Sequence, residues 1–309
     1  MQIFSTDNLQ VLEGGWLSSN RVLIRAAEGE PGAVLVDSGH GLHSQALVQE
    51  LQALLGKEAL HAVVNTHLHA DHCGGNARLQ RQFGAETWVS AEEARMARQW
   101  DESAMNHVLA GQYCPRFKVH RALAHGDSFE AGGVLWESLD AAGHDEAGQL
   151  LFDRSRGILI SSDSLWEHGM ALVFPELMGR DGFEAAERTL DRIERLPVRW
   201  VIPGHGQPFS DVAHALREAR AKLAHWRQDP AAHARHALRA LLKFHLMEVG
   251  REPVAATLVW SAGVPAIRSL WERWAPADSA SPAAWSEVIL EEFLQRGLAR
   301  REDDEVVDV

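Results

Sequence analysis

The run Thr66-His67-Leu68-His69-Ala70-Asp71-His72-Cys73-Gly74-Gly75 decides the fold of this chain, because it sets four side chains with metal-binding atoms within six residues, directly after the apolar stretch His61-Ala62-Val63-Val64-Asn65. Imidazole nitrogens and carboxylate oxygens are donors that zinc, iron and manganese accept, so the run reads as a metal site. Leu60 to Asn65 reads as a strand, and Leu79 and Phe83 mark the apolar face of a helix starting near Ala70. His67 and His69, two apart on an extended turn, point the same way, whereas Asp71 and His72 leave at another angle onto the helix start. One tetrahedral shell does not easily take both pairs. The spacing therefore points to two adjacent cations, each needing ligands from elsewhere in the chain.

Those ligands are sought where other strands end. His144 lies in DAAGHDEAG (140–148), after the apolar segment from Val134 to Leu139. Asp163 ends the strand-like GILISSD (157–163), where a carboxylate can bridge two cations through its two oxygens. His205 sits between glycines in VIPGHG (201–206). The order strand, turn, ligand recurs four times.

Together these segments resemble the metallo-β-lactamase fold superfamily of hydrolases, which includes glyoxalase II, lactonases, thioesterases, RNase Z-like nucleases and the lactamases, over residues 8 to 225. The resemblance implies that His67, His69 and His144 hold one cation, that Asp71, His72 and His205 hold the other, and that Asp163 bridges them. It implies two divalent ions as cofactors, zinc first, with iron and manganese as alternatives. VLVDSGH (34–40) matches the family's support beneath the ligand loop, with Asp37 orienting a ligand imidazole. HGD (125–127) fits the strand connection expected there. One departure is Asp145, where the family commonly has Thr or Ser after the third histidine.

Strands at Leu9–Leu12, Val22–Ala26 and Ala33–Val36, a helix over Ser44–Leu55, and alternating strands and helices through residue 202 predict an α/β chain: an αββα sandwich with its ligand loops on one edge. Val119 is read as the start of the second half, after an insertion from Arg98 to Phe117. From Pro208 onward the pattern turns helical. Residues 1–225 are expected to form the catalytic domain and 226–309 a mainly helical, winged-helix-like domain, ending in a hairpin over the last thirteen residues. Its candidate recognition helix, Pro265–Trp274, carries Arg268 and Arg273 but no basic stripe, and Trp260, Trp271 and Trp274 argue for burial. The tail is read as packing on the catalytic part or on a second copy in a homodimer.

A net charge of −13 without a concentrated basic run argues against nucleic acid as partner and for a small-molecule substrate. No apolar stretch reaches membrane-spanning length, and the opening MQIFSTDN lacks the basic-then-apolar pattern of a secretory signal, so a cytoplasmic protein is expected. Two cysteines make no disulfide scaffold; with Cys114 far along the chain, Cys73 is read as a small packing residue behind the ligand loop. Of the 17 histidines, His61, His107, His120, His214, His225, His233, His236 and His245 are read as ordinary surface or capping residues.

The function expected is a metal-dependent hydrolase that directs a metal-bridged hydroxide at a small ester, thioester or lactone, with Asp71 orienting the water and passing its proton to the leaving group. Trp166, His168 and Phe174 either line the approach, with the 98–117 segment as cover, or cap the core. A phosphodiesterase or nuclease using the same centre, and a mononuclear iron dioxygenase, are the alternatives weighed.

Overall fold

The computed structural model describes residues 5–6 and 8–309. The secretory-signal expectation rests partly on Met1–Phe4 and Asp7, which lie outside the described residues. Seven strands form the first sheet in chain order: Ser5–Thr6 (β1), Leu9–Leu12 (β2), Arg21–Ile24 (β3), Ala33–Val36 (β4), Leu60–Val64 (β5), Glu86–Ser90 (β6) and Arg121–Leu123 (β7). From β4 to β7 the pairs are parallel, so the ends of β4 and β5 open on the same edge. The second sheet runs β12-β11-β10-β9-β8, with Ser128–Ala131 (β8), Val134–Asp140 (β9), Gln149–Asp153 (β10), Ile158–Ser162 (β11) and Trp200–Pro203 (β12). The second half thus begins at β8 and not at Val119, because β7 pairs with β6 at the edge of the first sheet.

Alternation along the strands separates the layers. Val34, Val36, Ala62 and Val64 face Leu151, Ile158, Ile160 and Ile202 between the sheets, around the fully buried Trp136. Ala33, Leu35 and Val63 turn the other way onto Leu47, Val48, Leu51 and Leu55 of the Ser44–Leu55 helix. Leu150, Phe152 and Leu159 turn outward from the second sheet onto further helices. This is the expected αββα sandwich.

That outer cluster continues without a break into the tail, through Leu238 and Leu242 of the Pro230–Val249 helix, Ile267 and Leu270 of Pro265–Trp274, and Trp285 and Ile289 of Pro282–Gln295. The tail packs on the catalytic part. Arg251–Pro253 (β13), Ala299–Glu302 (β14) and Glu305–Asp308 (β15) make a third sheet, β13-β15-β14, whose last two strands are the expected hairpin. Among the described residues no helix is long and apolar enough to cross a membrane.

The helix expected from Ala70 is two: Ala70–Cys73 and Asn76–Phe83. The break has a local cause. The Gly75 N–H donates to Gly39 O and Ser38 Oγ instead of continuing the helix, and a Cβ on Gly75 would stand 2.5 Å from Ser38 O. The ligand loop is thereby laid directly on the loop after β4.

Candidate metal centre

All seven expected ligands lie at the ends of four strands and converge. The loop after β5 carries His67, His69, Asp71 and His72; the loop after β9 carries His144; Asp163 follows β11 and His205 follows β12. Donor atoms of His67, His69 and His144 lie within 4.8 Å of one another, as do those of Asp71, His72, Asp163 and His205. Asp163 faces both groups: Oδ2 is 3.5 Å from His144 Nε2 and Oδ1 is 3.6 Å from His72 Nε2. All seven residues are buried.

Four of the five imidazoles, those of His72, His144, His205 and His67, are held by a hydrogen bond through the other nitrogen. Asp37 Oδ2 is 2.8 Å from His72 Nδ1. Asp37 itself sits at φ 58°, and its carboxylate accepts from the N–H and hydroxyl of Thr66, which ties it to the ligand loop. His144 Nδ1 is 2.6 Å from Leu172 O, His205 Nδ1 is 3.1 Å from Gly15 O, and His67 Nδ1 is 3.1 Å from Ser162 Oγ. His69 is turned round: its Nε2 lies 3.4 Å from Asp145 Oδ2, and its Nδ1 points into the cluster. Asp145 therefore stays outside the two donor groups and braces His69. Burial raises its carboxyl, but His69 and the Ala147 N–H outweigh that and bring it down to about 2.

These anchors show that the residues fit a pair of cations. A carbonyl oxygen can only accept, so the Nδ1 of His144 and of His205 carry hydrogen, and the neutral His144 ring presents a lone pair at Nε2. The His144 lone pair stands 3.0 Å from His69 Nδ1, itself 3.0 Å from His67 Nε2, while His205 Nε2 lies 3.1 Å from Asp71 Oδ2, where burial is outweighed by the Asp163 and Asp71 carboxylates, which raise the imidazole above its ordinary range. Acceptor against acceptor at hydrogen-bond distance is repulsive unless positive charge lies between. Burial, followed by neighbouring His72, His69 and His144, pushes the His67 imidazole well below its ordinary range, so protonation of the ring itself is opposed. His72 Nε2 is buried without a hydrogen-bond partner. Metal-bound histidines show the same division, with one nitrogen on the ion and the other on an acceptor.

The centre opens into a cleft of about 320 Å³. Trp166 and Phe174 line it, and the 98–117 segment contributes Ala110 and Gln112. His168 does not line it; its side chain is 79% exposed and lies against Glu167. The sequence reading missed Trp16, whose ring stacks on His205 at 5.6 Å. It also did not place the Pro230–Val249 helix against the cleft, where it supplies His236, Leu241 and Phe244 to the wall. A helical apolar stripe fits any packed helix, and nothing in the residues says that this stripe closes a cleft. The ordinary reading of His107, His233 and His245 is corrected too, because all three are buried. A roomier open groove of about 590 Å³, lined by Arg81, Arg116, Lys118 and His120, includes none of the donors.

A family model described as the metallo-beta-lactamase superfamily matches residues 14–205, the span that holds all seven donors, and the chain belongs to that superfamily. It is 31% identical over 216 residues to a hydroxyacylglutathione hydrolase of Xanthomonas campestris pv. campestris, covering 69% of this chain and 72% of the relative. Acyl-coenzyme A thioesterase MBLAC2 of Homo sapiens is 26% identical over 221 residues, covering 62% of this chain and 75% of that protein. A metallo-beta-lactamase family protein from Thermus thermophilus shares the fold over 98% of this chain and 99% of its own, with 20% identity and a TM-score of 0.57. The curated relatives are hydrolases, and divalent metal is general to the family.

Proposed function

We propose that the chain is a two-cation hydrolase of small esters and lactones and, foremost, of thioesters with an apolar acyl group. The observation that carries this reading is the cleft: five of the seven donors, His69, Asp71, His144, Asp163 and His205, line a cavity whose walls include Trp16, Trp166, Leu172, Phe174, Leu241 and Phe244. Such walls bury an acyl chain and exclude water from the reacting carbonyl. The name of the acyl-coenzyme A thioesterase relative supports the thioester preference.

His67, His69 and His144 would hold one cation, Asp71, His72 and His205 the other, with Asp163 shared. Bound there, two divalent ions supply Lewis acidity toward a carbonyl oxygen and bring the pKa of water toward neutrality. Asp163 spaces the two donor groups by directing one oxygen to each. Asp71, whose carboxylate lines the cleft beside His205, accepts a hydrogen bond from the attacking water and passes its proton to the leaving thiol or alcohol. Asp37 and Asp145 fix the rings of His72 and His69, and Trp16 lies flat on the His205 ring to limit its rotation.

A substrate panel tests the reading: acyl-coenzyme A thioesters of graded length, p-nitrophenyl esters, lactones, nitrocefin and bis-p-nitrophenyl phosphate, assayed before and after chelation and zinc return. Thioesters are expected to have the highest kcat/KM, lost on chelation and restored by zinc. Preference for the phosphodiester, or thioester turnover unaffected by chelation, overturns it.

A further inference from the structure

Both cysteines of the chain lie together behind the ligand loop, beside a histidine that the centre above does not use. Cys73 Sγ and Cys114 Sγ are 3.5 Å apart, and one nitrogen of His107 is within 4.8 Å of both. Exposure of Cys73, His107 and Cys114 is 0%, 1% and 1%. His107 Nε2 lies 2.7 Å from Leu68 O, so that nitrogen carries the hydrogen and Nδ1 keeps its lone pair. Nδ1 is buried with no hydrogen-bond partner, and an orphaned buried acceptor of this kind calls for an explanation.

We propose that Cys73, His107 and Cys114 form a further cation site, distinct from the two-cation centre, which takes a soft divalent ion of the zinc class and fastens the ligand loop to the wall of the cleft.

Sulfur spacing is compatible with an ion. Two thiolates bound to one tetrahedral zinc, each at about 2.3 Å, stand roughly 3.8 Å apart. The observed 3.5 Å is near that separation and far from the disulfide bond length of about 2.04 Å. The charges of the bound unit balance. On binding, each thiol releases its proton to solvent while His107 stays neutral, so two thiolates cancel the ion's charge and the buried unit is neutral. Ligand softness sets the preference: thiolate with imidazole selects zinc over magnesium, calcium or manganese. The donor set shares no side chain with the seven described above.

Position gives the site its consequence. Leu68, whose carbonyl holds His107, lies between His67 and His69, and Cys73 directly follows His72. His107 and Cys114 flank Ala110 and Gln112, which line the cleft. An ion here ties the loop that carries four donors to the segment that shapes the cleft.

X-ray absorption at the zinc edge, on the full chain loaded with zinc under reducing conditions, tests the proposal without any variant. A zinc–sulfur shell at about 2.3 Å is expected beside the nitrogen and oxygen shells, since none of the other seven donors is sulfur. Nitrogen and oxygen shells alone, or an intact mass showing a Cys73–Cys114 disulfide in the reduced protein, overturn it. Cobalt loading gives a second readout, a thiolate-to-cobalt charge-transfer band. In Cys114→Ser that band should vanish and bound cobalt should fall by one ion per chain; an unchanged metal count overturns the proposal. Loss of nitrogen and oxygen ligation with the sulfur shell intact would instead count against the two-cation hydrolase, so the two readings fail separately.

Discussion

Gly204 gives the sharpest test of how tightly the centre is built. A Cβ at this position would stand 2.2 Å from Asp163 Oδ1 and 3.0 Å from His72 Cε1. An ordinary carbon–oxygen contact is about 3.3 Å, so Gly204→Ala must push the carboxylate away by about 1 Å, and close packing leaves little slack to absorb that. Ligand distances tolerate only about 0.2 Å, and a misplacement of about 1 Å can cost on the order of 100-fold in rate. The expected outcome is a loss of roughly that size in kcat/KM together with weaker metal retention, read by elemental analysis after dialysis against a mild chelator. Gly206→Ala is the control. Gly206 has no atom within 4 Å of its Cβ position but sits at φ 89°, so alanine there strains the backbone by about 1–2 kcal/mol and lowers Tm by a few degrees while leaving Asp163 in place. Full metal content and activity in Gly204→Ala would refute the geometric argument.

Other substitutions probe the supports and the cleft. Asp37→Asn removes the carboxylate charge facing His72 Nδ1 and should weaken metal affinity by about 10–100-fold, measured by competition with a chromophoric chelator; unchanged affinity would deny Asp37 that role. Phe244→Ala enlarges the apolar wall and should move the acyl-length optimum toward longer chains, an effect absent if acyl groups do not enter this cleft. Burial first, then His236 and Lys222, depress the His233 imidazole to about 3. Its folded value lies below its unfolded one, so it leaves stability unchanged above about pH 6.5 and subtracts stability as pH falls toward 3. By pH 5 the loss is about 2 kcal/mol. His233→Gln should reduce the fall in denaturation free energy between pH 7 and pH 5 by about that amount, and an unaltered fall would refute the assignment. Trp136→Ala, in the core between the sheets, should cost about 3–5 kcal/mol in chemical denaturation without changing the metal count; a cost under 1 kcal/mol would contradict its full burial.

What could be read in the residues was local. Whether a position offers a nitrogen or a carboxylate oxygen is a property of that position alone, and a strand followed by a glycine-rich turn is written within about ten residues. All seven donors and the four strand ends that present them were therefore legible, as were Ala33–Val36 and the Ser44–Leu55 helix to their last residues.

Tertiary structure decided what those donors lean on. The acceptors holding His144 and His205 are the carbonyls of Leu172 and Gly15. Every residue carries a carbonyl, so no residue type marks the one that will be used. Asp145 stood out as a departure from the family pattern, yet only the reversed His69 ring shows that it braces a ligand. The apolar stripe from Ala234 to Val249 was visible, but the same stripe serves a core or a cleft wall, and the path of the chain chose both. The meeting of Cys73 with Cys114, 41 residues apart, follows from folding alone. Donor chemistry belongs to single residues and survives without a fold, whereas enclosure, partner choice and cleft shape belong to pairs of distant segments and exist only once the sheets and helices have packed.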